Sequence, residues 1–185
     1  MIKIDDISLE VPTEEYADEI ISFKNEMISS GSDFDGCGNL KRCSTAEEWI
    51  DGCKRLSRSE TCPEGLVVSD TYLAIRKSDK RLVGVIDLRH SLDTPVLSLW
   101  AGHIGYSVRP CERRKGYAKR MLALNLENCK RLGLKRVMIC CYDDNIASEK
   151  TIIANGGVYE KTVDVDGRKV KRYWINIEDI RRKHG

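Results

Sequence analysis

The segment Val108-Arg109-Pro110-Cys111-Glu112-Arg113-Arg114-Lys115-Gly116-Tyr117-Ala118 constrains this chain more than any other. A strand-like run ends there, and a basic loop punctuated by glycine passes directly into a helix-like run. The first amides of a helix lack intrahelical acceptors, and the aligned peptide dipoles leave about half a positive charge at that end. An anionic group, phosphate above all, is drawn to such a place. Gly116 lets a ligand approach the backbone, while Arg113, Arg114, Lys115 and Lys119 add charge. Most basic runs are merely solvated loops. The strand before, the helix after and the Asn145 segment beyond favour a phosphate cradle.

Upstream, Gly102-His103-Ile104-Gly105-Tyr106-Ser107-Val108 reads as a strand. Its two glycines weaken pairing and mark a bulge or a close backbone approach. Downstream, Ala118, Met121, Leu122, Leu126, Cys129 and Leu132 share one helix face, opposite Lys119, Arg120, Glu127, Lys130 and Arg131, and Gly133 ends the run. A buried-looking strand follows, Val137-Met138-Ile139-Cys140-Cys141-Tyr142. Asn145-Ile146-Ala147-Ser148 then opens a helix that closes on Asn155-Gly156-Gly157.

With the spacing Arg113-x-x-Gly116-x-Ala118, this order resembles the GNAT N-acetyltransferase superfamily, whose acyl-CoA pyrophosphate loop reads (Gln/Arg)-x-x-Gly-x-(Gly/Ala). The likeness is specific over residues 102–157 and extends to the flanks only by the order of strands and helices. It implies an α/β (α+β) GNAT fold, a mixed but mostly antiparallel sheet of about seven strands flanked by about four helices. A parallel pair of strands bridged by the Gly116 helix belongs to that expectation.

The resemblance also implies acetyl-CoA as cosubstrate and no metal. Its diphosphate would lie on Arg113, Arg114, Lys115, Gly116, Tyr117, Ala118 and Lys119. Its pantetheine arm would pair with backbone groups of Tyr106, Ser107 and Val108, where two neighbouring parallel strands splay apart, and would meet Asn145 and Ser148. A backbone N–H on that strand would suit the oxyanion of the transfer step. Asn145 has a second reading as a helix cap, and the sequence leaves both open.

Acetyl transfer needs a neutral amine, yet alkylamines have a pKa near ~10.4, so a base or water chain must remove a proton. Family members often place a glutamate on the fourth strand. Here that strand offers only His103 and Tyr106, with Asp87 on the preceding strand a weaker candidate. A structural, hydrogen-bonded role for His103 competes with the catalytic one. Many relatives carry a tyrosine after the asparagine, where this chain has Thr151-Ile152. Tyr142, Tyr159 and Tyr173 are stand-ins for protonating the thiolate. With a thiol pKa of about 8.5 the leaving group needs that help less than the amine needs its base. These two departures leave a non-catalytic acyl-CoA sensor as the competing reading. Direct transfer is expected over an acyl-enzyme, since no cysteine adjoins a histidine in sequence.

The flanks complete the pattern. Ile2, Ile4, Ile7, Leu9 and Val11 predict a strand ended by Pro12, and Thr13 caps a helix running to about Ser30. Residues 31–39 form a loop. Ser44 or Thr45 caps a second helix to about Leu56. Residues 71–76 and 82–88 read as a hairpin, and Asp166-Gly167 as a type I′ turn between two C-terminal strands. The acceptor site is expected among the first two helices, their connecting residues 31–42 and the C-terminal hairpin. Asp33 and Asp35 there attract a cationic amine, unless they only make turns.

At 185 residues, 41% hydrophobic and 32% charged, the expectation is one globular domain over residues 1–185 with its own core. A net charge of +2 argues against a nucleic-acid partner. No apolar run approaches the roughly 20 residues that span a bilayer. The start of the chain shows no signal-like stretch, so a cytoplasmic location and no membrane partner are expected. Eight cysteines, with no Cys-x-x-Cys pair, suggest reduced thiols rather than zinc. Cys37 and Cys43, flanking a loop, leave a reactive thiol open. The identity of the amine acceptor stays open, as does a homodimer.

Overall fold

Strand β3 (Leu82–Arg89) lies at the middle of the molecule because its sequence is apolar toward both faces, and only Arg89 of its residues escapes burial. The computed structural model describes residues 6–178, so Ile2 and Ile4 of the expected first strand and the basic residues at 181–183 lie outside the described residues. Around β3, strands β1 (Ile7–Glu10), β2 (Ser69–Arg76) and β4 (Tyr106–Val108) complete an antiparallel sheet ordered β1-β2-β3-β4. A second antiparallel sheet joins β5 (Arg136–Tyr142), β6 (Val158–Val165) and β7 (Arg168–Asn176) in the order β5-β7-β6. The turn between β6 and β7 has positive φ at both Asp166 (51°) and Gly167 (80°), as the type I′ reading requires.

Two cores form on the two faces of the first sheet. On one, Ile20, Phe23 and Met27 of α1 (Ala17–Ser29) and Trp49 and Ile50 of α2 (Ala46–Leu56) pack on Leu73, Ile75 and Val85. On the other, Met121, Leu122 and Leu126 of α3 (Tyr117–Arg131) and Ile152 of α4 (Ile146–Ala154) pack among Ile86, Leu88, Val137, Ile139 and Tyr173. Each such aliphatic or aromatic side chain contributes about 1.5–3 kcal/mol by burial. The α3 core therefore ties the two sheets together. No described helix is long and apolar enough to cross a membrane.

Local chemistry sets the helix starts. Oγ1 of Thr45 accepts the Glu48 amide (3.2 Å) and the Glu48 carboxylate returns to the Ser44 amide (2.7 Å), close to a capping box. The first helix departs from its expected start: Glu14–Tyr16 form a 3₁₀ turn, and the Thr13 side chain makes no capping bond.

Among the described residues no backbone ladder joins β4 to β5, the two strands expected to splay apart, and the expected mixed sheet divides into two antiparallel ones. Residues 102–105, expected as strand, lie along β3 without regular pairing. Asp87 donates its amide to the Gly105 carbonyl (3.0 Å) and Arg89 to that of His103 (2.8 Å), holding this stretch on β3. The Gly105 amide, however, goes to the Asp87 carboxylate (2.6 Å) instead of a backbone carbonyl, so the ladder is interrupted and regular strand begins only at Tyr106. The second sheet is met at His103, whose amide donates to the Met138 carbonyl (2.8 Å), and beyond it the two sheets part. Sequence periodicity also misses a π-helical turn, Leu97–Ala101. Arg172 Nη1 donates to the carbonyls of Ser98 and Leu99 (3.1 and 3.0 Å), and Arg89 Nη1 to those of Ala101 and Gly102 (both 3.1 Å), fixing the turn to both sheets.

Candidate active site

Where β4 and β5 part, a cleft of about 1640 Å³ opens. Its floor is β4 with the end of β5. One wall is the start of α3 with Asn145, Ser148 and Thr151 of the α4 region. The other is built from the α1–α2 loop, Asp87 and Arg89 of β3, and Leu97 and Trp100 of the π-helical turn. The β4 edge toward the cleft keeps the amides of Tyr106 and Val108 available. Gly105 and Arg109 bond to β3, so by the alternation of strand backbones Tyr106 and Val108 turn their amides to the opposite edge, and Ser107 turns its own toward β3.

At one end of the cleft the loop before α3 turns its backbone inward. Gly116 sits at φ 89° and Arg114 at φ 61°, both left-handed, so successive amides converge into a concave nest just before α3. A side chain at Gly116 would strain that backbone. The first helical bond runs from Arg120 to the Gly116 carbonyl (3.2 Å), which leaves the amides of Tyr117, Ala118 and Lys119 ahead of it at the positive end of a 15-residue helix.

The basic side chains here divide the work. Arg113 secures the loop, donating to the Val108 carbonyl (3.1 Å) and to Ser32 Oγ (2.7 Å). Lys115 is paired with Glu112 (2.8 Å) and does not line the cleft. Glu112 is buried and also meets Arg76 (2.9 Å) and Arg81 (3.3 Å). Burial alone would raise its carboxyl, but Lys115 and Arg76 hold it below the usual range. Buried Tyr117 joins this network by accepting from Arg76 (3.2 Å). Among the described residues Arg114 and Lys119 have no ion-pair partner, and both line the cleft.

Residues 7–158 match the Acetyltransferase (GNAT) domain family. This chain belongs to that family. It is therefore an acetyltransferase, and solved structures agree on its fold. A microcin self-immunity acetyltransferase, MccE, in complex with acetyl-CoA and AMP, superposes with a TM-score of 0.67 at 17% identity, over 93% of each chain. A ribosomal alpha-N-protein acetyltransferase, RimL, in complex with coenzyme A, gives 0.67 at 18% identity, over 95% of this chain and 99% of that one. The spermidine/spermine N-acetyltransferase SpeG of Vibrio cholerae gives 0.64 at 13% identity, over 97% and 100%. Among curated proteins no sequence matches this chain.

In this acetyltransferase the residues singled out for catalysis divide into two groups. Tyr106 lies in the cleft, with its hydroxyl 2.8 Å from Ser148 Oγ on the first turn of α4. Burial is the main cause that raises its pKa, so it stays protonated. Asn145 is the α4 cap, accepting the Ser148 amide (3.1 Å), and also lines the cleft. Val108 and Ala118 line it as well. His103 does not. It is buried, its Nδ1 accepts the Met138 amide (3.0 Å), and its ring meets the edge of Trp174 at 6.5 Å. Burial first, and the Arg89 charge second, lower its pKa to about 4, so at neutral pH it is an uncharged stitch between the sheets.

The remaining candidates are also placed. Asp87 is buried, with Oδ1 on the Gly105 amide and Oδ2 on Arg89 (2.9 Å). Ser107 directs its side chain to the α1–α2 loop. Tyr142 lines the cleft beneath the guanidinium of Arg168 (3.5 Å from the ring centre), whereas Tyr159 and Tyr173 belong to a separate groove, where Tyr173 donates to Glu149 (2.5 Å). The loop cysteines Cys37 and Cys43 are buried, and desolvation pushes both thiols up, away from the reactive thiolate form. Sequence reasoning missed Arg76, Arg81, Arg89 and Arg172, whose roles arise only from contacts between distant elements.

Proposed function

We propose that this acetyltransferase is a one-domain enzyme that transfers the acetyl group of acetyl-CoA directly to a primary amine of a small molecule or peptide. The observation that carries the reading is the nest at Arg114 and Gly116 before α3, opening into the cleft beside the free edge of β4. These residues fit coenzyme A: a concave run of amides and two uncommitted cations for a diphosphate, and a strand edge for the amide-bearing arm. Bound there, acetyl-CoA supplies an activated thioester.

The amides of Tyr106 and Val108, turned to the open edge, would donate to the oxyanion that develops on the acyl carbonyl, a role worth about 3–4 kcal/mol per donor. The Tyr106 hydroxyl, kept protonated, would give its proton to the departing sulfur, with Ser148 holding it in place. Thus Tyr106 on β4 would supply from the strand what many relatives supply from the helix after the asparagine. The thiols support direct transfer. Cys140 lines the cleft, but burial raises its pKa to about 12, which leaves almost no thiolate to form an acyl-enzyme. That the superposed SpeG and RimL are named for acetylating spermidine/spermine and a ribosomal protein supports an amine acceptor.

Release of free thiol from acetyl-CoA, followed across a panel of alkylamines and short peptides, tests the reading. Amine-dependent release supports it. Coenzyme A binding without release against any amine would favour the acyl-CoA sensor instead.

A further inference from the structure

Asp35 is held against β4 through its backbone rather than through its side chain. Oγ of Ser107 donates to the Asp35 carbonyl at 2.8 Å and to the Asp33 carbonyl at 3.4 Å. The next residue, Gly36, lies so close to β4 that a Cβ there would sit 2.2 Å from the Gly105 carbonyl oxygen, and its φ is +73°. The residue after that, Cys37, is buried, and its carbonyl accepts the Trp49 indole N–H at 2.8 Å. Contacts at successive positions therefore fix where Asp35 stands. Asp35 lines the cleft wall, and among the described residues no hydrogen bond or ion pair engages its carboxylate oxygens.

The alternation of β4 gives this position its meaning. Tyr106 points to the α3 and α4 side, where it reaches Ser148, and Ser107 points to the opposite side, where it meets Asp35. A proton donor for sulfur and an uncommitted carboxylate thus flank the same short strand from its two faces. Asp87 is too committed to serve as acceptor, with one oxygen on the Gly105 amide and the other on Arg89.

We propose that Asp35 is the catalytic base of this enzyme, holding the acceptor as an ammonium ion and taking its proton before attack. The proposal rests on the acetyl-transfer reading above. The ammonium gives one proton to the Asp35 carboxylate. The freed lone pair forms the C–N bond at the acyl carbon, and the C–S bond breaks with its electron pair going to sulfur. Tyr106 protonates that sulfur and is reloaded by the second proton leaving nitrogen, so one proton per turnover passes from Asp35 to water.

The charged groups facing Asp35 suit this role. They are Asp33 on the same loop, Asp87 and Arg89 on β3, and Arg168 on β7. The surrounding cleft walls first, and Asp33 second, push its carboxyl up, while Arg89 and Arg168 oppose them. A carboxylate with raised proton affinity stands closer to an amine on the acidity scale, and each unit gained is about a factor of ten in proton transfer.

The test compares wild type with Asp35→Asn on two acceptors of similar shape, an ethylamine derivative and its trifluoroethyl analogue, which is already neutral at the assay pH. Asp35→Asn should lower kcat/KM for the basic amine by roughly 100- to 1,000-fold and for the fluorinated one by less than about tenfold. Its affinity for coenzyme A, read by calorimetry, should be unchanged, showing that the variant folds. Equal losses for both amines, or no loss, would overturn the role of Asp35 while leaving acetyl transfer standing. A wild type that binds coenzyme A but turns over neither amine would remove the transfer reading, and this role with it.

Discussion

The backbone amide of Met138 donates to Nδ1 of His103 at 3.0 Å, and the amide of His103 donates back to the Met138 carbonyl at 2.8 Å. This pair of bonds joins the two sheets on the near side of the cleft. It also fixes the imidazole as a hydrogen-bond acceptor in a buried place, which a charged ring would disrupt. The folded-state pKa of about 4 lies below the ordinary 6.5, so the unfolded chain takes up the proton first as pH falls.

The stability that His103 contributes is therefore complete above about pH 6.5 and lost as pH drops toward 4. Between pH 7 and pH 5 the loss should be about 2 kcal/mol. His103→Gln keeps a hydrogen-bond acceptor but cannot titrate, so its urea-unfolding free energy should fall by about 2 kcal/mol less than wild type over that interval. An identical decline in both proteins would show that the imidazole does not sense pH. The variant should leave the pH dependence of turnover unchanged.

Gly116→Val places a branched side chain at φ 89° in the middle of the anion cradle. The strain should cost about 1–3 kcal/mol of unfolding free energy. Because the nest is distorted, calorimetry should show coenzyme A affinity falling by more than about tenfold.

Glu112 is buried among Arg76, Arg81 and Lys115. Glu112→Gln leaves those cations without their shared anion and should cost about 3 kcal/mol in chemical denaturation. Lys115→Met removes only an exposed partner and should cost less than about 1 kcal/mol. Since Lys115 is already neutralised and Lys119 is not, Lys119→Met should weaken coenzyme A binding more than Lys115→Met does.

Tyr106→Phe deletes the hydroxyl that meets Ser148 and little else. Coenzyme A affinity should stay within about threefold of wild type while kcat for an alkylamine falls about tenfold or more. A fall in affinity with unchanged kcat would make the hydroxyl a binding group only.

The glycine turn into α3 was legible because it is local: the left-handed glycine, the helix start and the basic residues occupy one short stretch of chain. The Asp-Gly hairpin and the Thr45 cap are local for the same reason. What sequence could not show depends on distance. The late start of β4 at Tyr106 follows from Asp87 taking the Gly105 amide with its side chain, a contact that no periodicity encodes. His103 reads as a catalytic candidate only from the strand where the family resemblance expects a base, and only the second sheet shows its ring occupied. The π-helical turn at Leu97–Ala101 is held by Arg89 and Arg172 from two different sheets, so neither arginine announces it. Gly105 gave a partial signal: a glycine in a strand suggested a close approach, and Gly36 is what approaches.

Amine acetylation is tested most directly by incubating the protein with acetyl-CoA and an alkylamine, then measuring thiol release and the mass of the amine together. One free thiol is expected for each amine that gains an acetyl group, with both signals lost in Gly116→Val. Thiol release that does not depend on amine, or no acetylated amine across the panel from protein that binds coenzyme A, would contradict it.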